Sequence, residues 1–465
     1  MSRKDISPAE RRSLRYKRAY PWAWSTRGFA LGVNSILLMQ ISFYATESAG
    51  LSVGLVSALI LASKLFDGVT DLIAGFIIDK TTSRWGKARP YELFLIPTWI
   101  LTVLLFSTPA TWGTVGKAIY FFVLYLLINA VTVTFLSSSE AVYLARSTND
   151  EGLRAKALAL SGVLSTMFPA VVSIILPGLM NTWGRQPGGW TKIMLVFGIP
   201  FSIIGLIRFF VIKELPEEEL KAIEGENVKA SNEISFKETI KLLLKNKYIF
   251  ILSGAILLCA IVNGINSTVG SYFFEYYIGD LNKMTSVAML ALISPFALFL
   301  FPLAVRKIGG MNFVRIGLLL AILGNVIKFF AGTNMTGIMI GSFISIFPGA
   351  SAILMIGSIF VIQCMDYGQW KTGVRIEGPV NCVYGFASKV GSGLSAGLAG
   401  AILGAAGFIE GATAKGLTQP ASAMSAIQWA YSLVPALMCV IMLVILHFYD
   451  LEKNGEKIKA ELTGK

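Results

Sequence analysis

Two aspartates stand four residues apart in an otherwise apolar stretch, KLFDGVTDLIAGFIIDK, running from Lys64 to Lys80. On a helix that spacing stacks Asp67 and Asp71 on one face, with Lys64 a turn before Asp67. Two carboxylates so close in a low-dielectric setting resist double ionisation unless a cation joins them, and a proton or a sodium ion can do this. The competing reading is a structural salt bridge among Lys64, Asp67 and Asp71. A cation site also needs neutral oxygens. Thr70 adjoins Asp71, and Thr132, Thr134, Ser137 and Ser138 follow at helical spacing in a later apolar run.

Further along, Lys389 lies inside the glycine-rich NCVYGFASKVGSGLSAGLAG, on the same predicted helix as Asn381 and Tyr384. Asn381, Gly385, Ser388, Ser392 and Ser395 form a small, polar stripe there that close helix packing alone would explain. Packing does not explain the lysine, whose charge should face a cavity or a carboxylate. Arg27 either faces a cavity or snorkels to the surface. Asn263, Asn266 and Tyr272, in CAIVNGINSTVGSYFFEYY, are pocket candidates from the second half. Glu140, Glu275 and Lys328 fall near predicted span ends, where interfacial anchoring is the expectation.

These residues need a membrane to make sense. The chain has 465 residues, 54% of them hydrophobic and only 14% charged, with a mean hydropathy of +0.66. Soluble domains carry about 25% charged residues. Apolar runs long enough to span a bilayer recur along nearly the whole length, and twelve are expected. They cover about residues 21–46, 51–78, 91–108, 118–144, 157–179 and 192–213, then 248–278, 285–304, 314–331, 337–365, 378–406 and 423–448. The fold class is therefore all-α and polytopic. The expected organisation is an N-terminal tail (1–20), a six-helix bundle (21–213), a charged central loop (214–247), a second six-helix bundle (248–448) and a C-terminal tail (449–465). Within the loop, SFKETIKLLLKNK has the pattern of a short amphipathic helix at the membrane surface.

Most of the 40 basic residues fall on one side if the N-terminus is cytoplasmic, which places both termini in the cytoplasm of a plasma-membrane protein. The net charge of +13 thus reflects topology, and no nucleic-acid partner is expected. The first twenty residues have no apolar core or small-residue cleavage site, so no removable signal peptide is expected. The four cysteines lie in apolar runs without metal-ligand spacing. The single histidine, His447, closes the last span and reads as interfacial. Six plus six spans around a long cytoplasmic loop is the plan of the major facilitator superfamily, whose halves enclose a central site near the bilayer midplane.

Several stretches resemble one family within that plan. FDGVTDLIAGFIIDKTTSRWGKARPYEL is similar to the second-helix and loop signature of the glycoside–pentoside–hexuronide:cation symporters. CMDYGQWKTGVRIEGPVNCVYGFASKVGSGLSAGLAGAILG resembles that family's motif between spans ten and eleven. SYFFEYYIGD and GLSVGLVSALILASKLFD are similar too, and the resemblance runs over the whole chain. It implies that Asp67 and Asp71 hold the coupling cation, with Thr134 and Thr70 as oxygen ligands. The ion would be sodium or a proton, with lithium a third candidate, and no other cofactor is implied. Lys389 would sit beside the cation site and link it to the substrate. The resemblance also implies a cytoplasmic gate at Asp79, Arg84, Lys87 and Arg89, residues that positive-inside topology would account for as well.

The sugar half departs from the family pattern. Span one has no carboxylate, Ser137 stands where an aspartate is expected in span four, Ala141 replaces a stacking tryptophan, and span five lacks its arginine. An α-galactoside substrate is thereby put in doubt. Fewer acids beside Lys389, Lys64 and Arg27 suggest an acidic glycoside such as a hexuronide. The alternative is that the lysines neutralise Asp67 and Asp71. A monomeric, cation-coupled importer of a sugar or glycoside is the expected function. A carrier of amphiphiles or lysolipids on the same scaffold is the second reading, and a membrane sugar sensor the third. No enzyme is expected, since no histidine cluster, metal spacing or nucleophile motif is found.

Overall fold

The computed structural model describes residues 8–216, 236–290, 292, 305–346, 351–374, 376–452, 458 and 461. Every regular element among them is helical. The first half contains α1 (Pro8–Leu38), α2 (Ile41–Glu47), α3 (Val53–Lys80), a 3-10 turn at Arg89–Phe94, and α4 (Leu95–Leu105). Then follow α5 (Thr114–Leu126), a π-helical stretch Leu127–Val133, α6 (Thr134–Ser147), α7 (Glu151–Thr182) and α8 (Gly189–Val211). After the undescribed residues come α9 (Phe236–Leu244), α10 (Lys247–Tyr272), α11 (Met284–Leu290), α12 (Gly310–Ala331) and α13 (Met335–Ile344). The last elements are α14 (Ser351–Thr372), α15 (Glu377–Ala405), α16 (Ala421–Tyr431) and α17 (Leu433–His447).

Eight stretches among the described residues are long and apolar enough to cross a bilayer. Two more expected spans coincide with α3 and with Arg89–Leu105. The spans expected at 285–304 and 337–365 run into residues outside the described set. Much of the expected central loop, 217–235, lies outside it as well.

Contacts divide the chain into two units, Met1–Ile41 with Phe66–Val228 and Ser42–Leu65 with Lys229–Lys465. In the first, α1 packs on α7 and α8. Gly28 and Gly32, one turn apart, make this approach feasible. A Cβ at Gly28 would stand 2.5 Å from the Ser165 Oγ, and one at Gly32 would stand 2.7 Å from Pro169. Without a hydrophobic drive between helices in lipid, such close backbone approach supplies the packing energy. Tyr20, Trp24, Tyr143 and Ile212 form a buried core beside this seam.

In the second unit α10 packs on α15 and α17, and α12 on α13 and α17. Gly264 faces Ser395, and Gly391 lies against Leu257 and Ala260. Part of the small-residue stripe on α15 is therefore a packing surface. Cys259, Cys364 and Cys439 sit in the apolar core of this unit. Cys382 is exposed.

Candidate cation and substrate site

On α3, Asp67 is buried at 3% exposure, and Asp71, one turn on, is half-buried. The partner from the fourth expected span is set by the π-helical stretch, whose wider turn ends at Thr134. Such π segments recur at functional sites because they rotate the following residues off the α-helical register. Here the Thr134 hydroxyl lies 3.0 Å from the Asn129 carbonyl, five residues back, and 3.2 Å from Asp71 Oδ1. Its single proton is shared between these acceptors, and its lone pairs remain open to a cation. Thr70 likewise turns its proton inward, to the carbonyls of Phe66 at 3.3 Å and Asp67 at 3.1 Å. Hard cations take oxygen ligands of this kind, carboxylate and neutral together. Of the four predicted ligands, Asp71 and Thr134 meet directly, and Asp67 and Thr70 flank them on α3.

Arg27 neither snorkels nor faces water: it is 3% exposed. Its Nη1 donates to Glu92 Oε1 at 3.0 Å and to the Leu136 carbonyl at 2.7 Å. Its Nη2 pairs with Glu140. Arg208 of α8, 1% exposed, completes the group. Its Nη1 donates to both Glu140 oxygens at 3.1 Å, and its Nε lies 3.6 Å from Glu92 Oε2. The guanidinium also lies over the Trp24 ring at 3.4 Å. Glu140 is thus no interfacial anchor. Two arginines and two glutamates cancel inside the bundle, which is how buried charge survives in a membrane. Arg208, in GLIRFFV, passed unremarked in the sequence because nothing local distinguishes a buried arginine from one at a span end. Ser137, one turn before Glu140 on α6, is exposed.

The residues expected to form a gate are held by a group the sequence did not single out. Glu214 Oε1 accepts from the Ala88 and Arg89 amides at 2.7 and 2.8 Å. Its Oε2 accepts from the Lys87 amide and Arg146 Nε, both at 2.9 Å. Gly86 is the sequence signal for this contact: its φ is +114°, and a Cβ there would fall on the Glu214 carboxylate. Arg89 donates twice to the Phe209 carbonyl, at 2.9 and 2.8 Å. Lys87 pairs with Asp79 at 3.3 Å, and Arg84 lies over Trp85.

The remaining candidates belong to the second unit. Lys64 is half-buried, its stem packed where a Cβ on Gly393 would stand 2.8 Å away. Gly393 is one turn beyond Lys389, itself half-buried on α15. Tyr384 lies against Gly357 of α14, and Asn381 is exposed. Asn266 is half-buried, with Oδ1 shielded and accepting no hydrogen bond from the described residues. Tyr272 is corrected: it is fully buried, its hydroxyl 2.8 Å from that of Thr46 and its ring against Phe43 and Phe408. No face of it is left for a ligand.

A membrane-spanning helical fold with a carboxylate pair and a threonine on its apolar helices is the architecture of a secondary transporter. The chain belongs to the MFS/sugar transport protein family, whose model matches residues 28–453. It is 27% identical to the isoprimeverose transporter of Lactiplantibacillus pentosus, over 99% of this chain and 95% of that one. It is 25% identical to the glucuronide carrier protein homolog of Escherichia coli K12, over 94% and 93%. Among solved structures, a bacterial homologue of the human lysosomal transporter Spinster superposes with a TM-score of 0.68 at 13% identity, over 95% and 98%. The nucleoside transporter NupG gives 0.62 at 12% identity, over 93% and 99%. The last two show the fold alone. The all-α major facilitator architecture and the assignment as transporter, not enzyme, follow.

Proposed function

We propose that the chain imports a sugar or glycoside together with a monovalent cation held by Asp67, Asp71, Thr70 and Thr134. The observation that carries this reading is the Thr134–Asp71 hydrogen bond beside a second, buried carboxylate on the same helix. A carboxylate pair inside a span is costly unless something positive neutralises it, and a bound sodium ion or proton does so. Whole-length similarity to an isoprimeverose transporter and a glucuronide carrier homologue supports a glycoside as the co-substrate. The coupling ion is sodium or a proton, with lithium a third candidate. The protein acts as a monomer in the plasma membrane, with both termini cytoplasmic.

Substrate-dependent cation uptake into reconstituted vesicles tests this directly. Asp67→Cys and Asp71→Cys are each expected to abolish cation-driven accumulation while retaining some substrate binding. Unchanged accumulation in either variant removes that residue from the site.

A further inference from the structure

Glu140 differs from its three buried partners in one respect. Its side chain is 35% exposed, whereas those of Arg27, Glu92 and Arg208 are 4%, 1% and 1% exposed. A carboxylate with that exposure inside a span faces water, because hydrocarbon would not tolerate it. The exposed residues nearest it on α6 are Ser137, one turn before, and Ala141, the next residue. Both arginines grip Glu140 from the buried side, and a carboxylate paired in this way offers only acceptor lone pairs outward. Its position is fixed in advance, so a ligand pays little ordering cost on reaching it.

Resting on the transporter reading above, we infer that Glu140 is a specificity-determining residue. Its outer carboxylate edge accepts hydrogen bonds from substrate hydroxyls and repels anionic groups. The substrate is then a neutral glycoside, where the sequence suggested an acidic one such as a hexuronide on the strength of Lys389, Lys64 and Arg27. That suggestion counted Arg27 as available positive charge. Arg27 and Arg208 are instead balanced by Glu92 and Glu140, and what the quartet presents to water is the negative edge.

The matched pair p-nitrophenyl β-glucoside and p-nitrophenyl β-glucuronide differs only in the carboxylate. Binding of each to the purified full-length protein, in sodium-containing buffer, is measured by calorimetry. The wild type is expected to bind the glucoside more tightly. Glu140→Gln should weaken glucoside binding about ten- to hundredfold, the scale of losing a charge-assisted hydrogen bond, and shift the Kd ratio toward the glucuronide. Glu140→Asp, which keeps the ionised acceptor, should retain the wild-type order of preference. Because Glu140→Gln leaves the quartet positive and lowers stability, the double variant Glu140→Gln/Arg27→Met restores neutrality and should show the same shifted ratio. An unchanged Kd ratio in both Gln variants, or a wild type that prefers the glucuronide, overturns the role of Glu140 while leaving the transporter reading intact. A wild type that binds neither compound overturns the glycoside assignment and this inference with it.

Discussion

Thr134 donates to Asp71 across two helices, and a π-helical stretch in the chain puts it there. The hydroxyl proton is shared with the Asn129 carbonyl, so the bond to the carboxylate is adjustable. On the proposed function, the Thr134 proton would stay directed at the Asn129 carbonyl while the threonine oxygen turns to the cation. Thr134→Val keeps the shape and removes the oxygen. It is expected to raise the cation concentration for half-maximal uptake about tenfold or more, with Thr134→Ser close to wild type. If Val and Ser variants show equal cation dependence, Thr134 is not a ligand.

The Arg27–Glu92–Glu140–Arg208 quartet predicts a strongly asymmetric mutational response. Arg208→Met alone leaves buried carboxylate charge uncompensated, at about 3–5 kcal/mol. Arg208→Met/Glu92→Met removes one charge of each sign and should recover most of that loss. Thermal unfolding of the purified variants measures both. Additive losses in the double variant would show that the two residues are not energetically coupled.

Glu214 predicts a rigid loop between α3 and α4. Its carboxylate accepts three consecutive backbone amides and one guanidinium, and its side chain is only 3% exposed. Glu214→Gln replaces an acceptor by a group that is half donor, at a cost of about 1–3 kcal/mol for each buried amide left unsatisfied. Faster trypsin cleavage after Arg84 and Lys87 is the expected readout. Gly86→Ala should produce the same cleavage, since its Cβ displaces the Glu214 carboxylate. Wild-type cleavage rates in both variants would contradict the loop's dependence on this contact.

Asp150 caps α7 by accepting from the Leu153 amide at 3.0 Å, and it pairs with Lys17 at 3.2 Å. The amide bond first, and Lys17 second, hold its carboxyl below the ordinary value of 3.8. A group with a depressed folded-state pKa stabilises above its unfolded value and loses that contribution as pH falls through the folded one. Hydrogen-exchange protection in the first turn of α7 should therefore be constant from neutral pH down to about 4 and fall only in stronger acid. Asp150→Ala should show reduced protection at neutral pH. Equal protection in the variant would mean that the cap does not stabilise this end.

The amino-acid sequence by itself determined the membrane class, the approximate positions of most spans and the pairing of Asp67 with Asp71. These follow from local physics: apolar run length matches bilayer thickness, and i, i+4 spacing puts two side chains on one helix face. Thr134 was also legible, as one of several oxygens in the right apolar run. What the tertiary structure decided was which of those oxygens reaches the carboxylate, because a π-helical register shift has no local signature in LINAVTV. It likewise decided the fate of Arg27, Glu140 and Arg208. The sign presented to a ligand depends on charged partners such as Glu92 for Arg27 and Glu140 for Arg208, 65 and 68 residues away along the chain, and only folding brings those charges close enough to cancel.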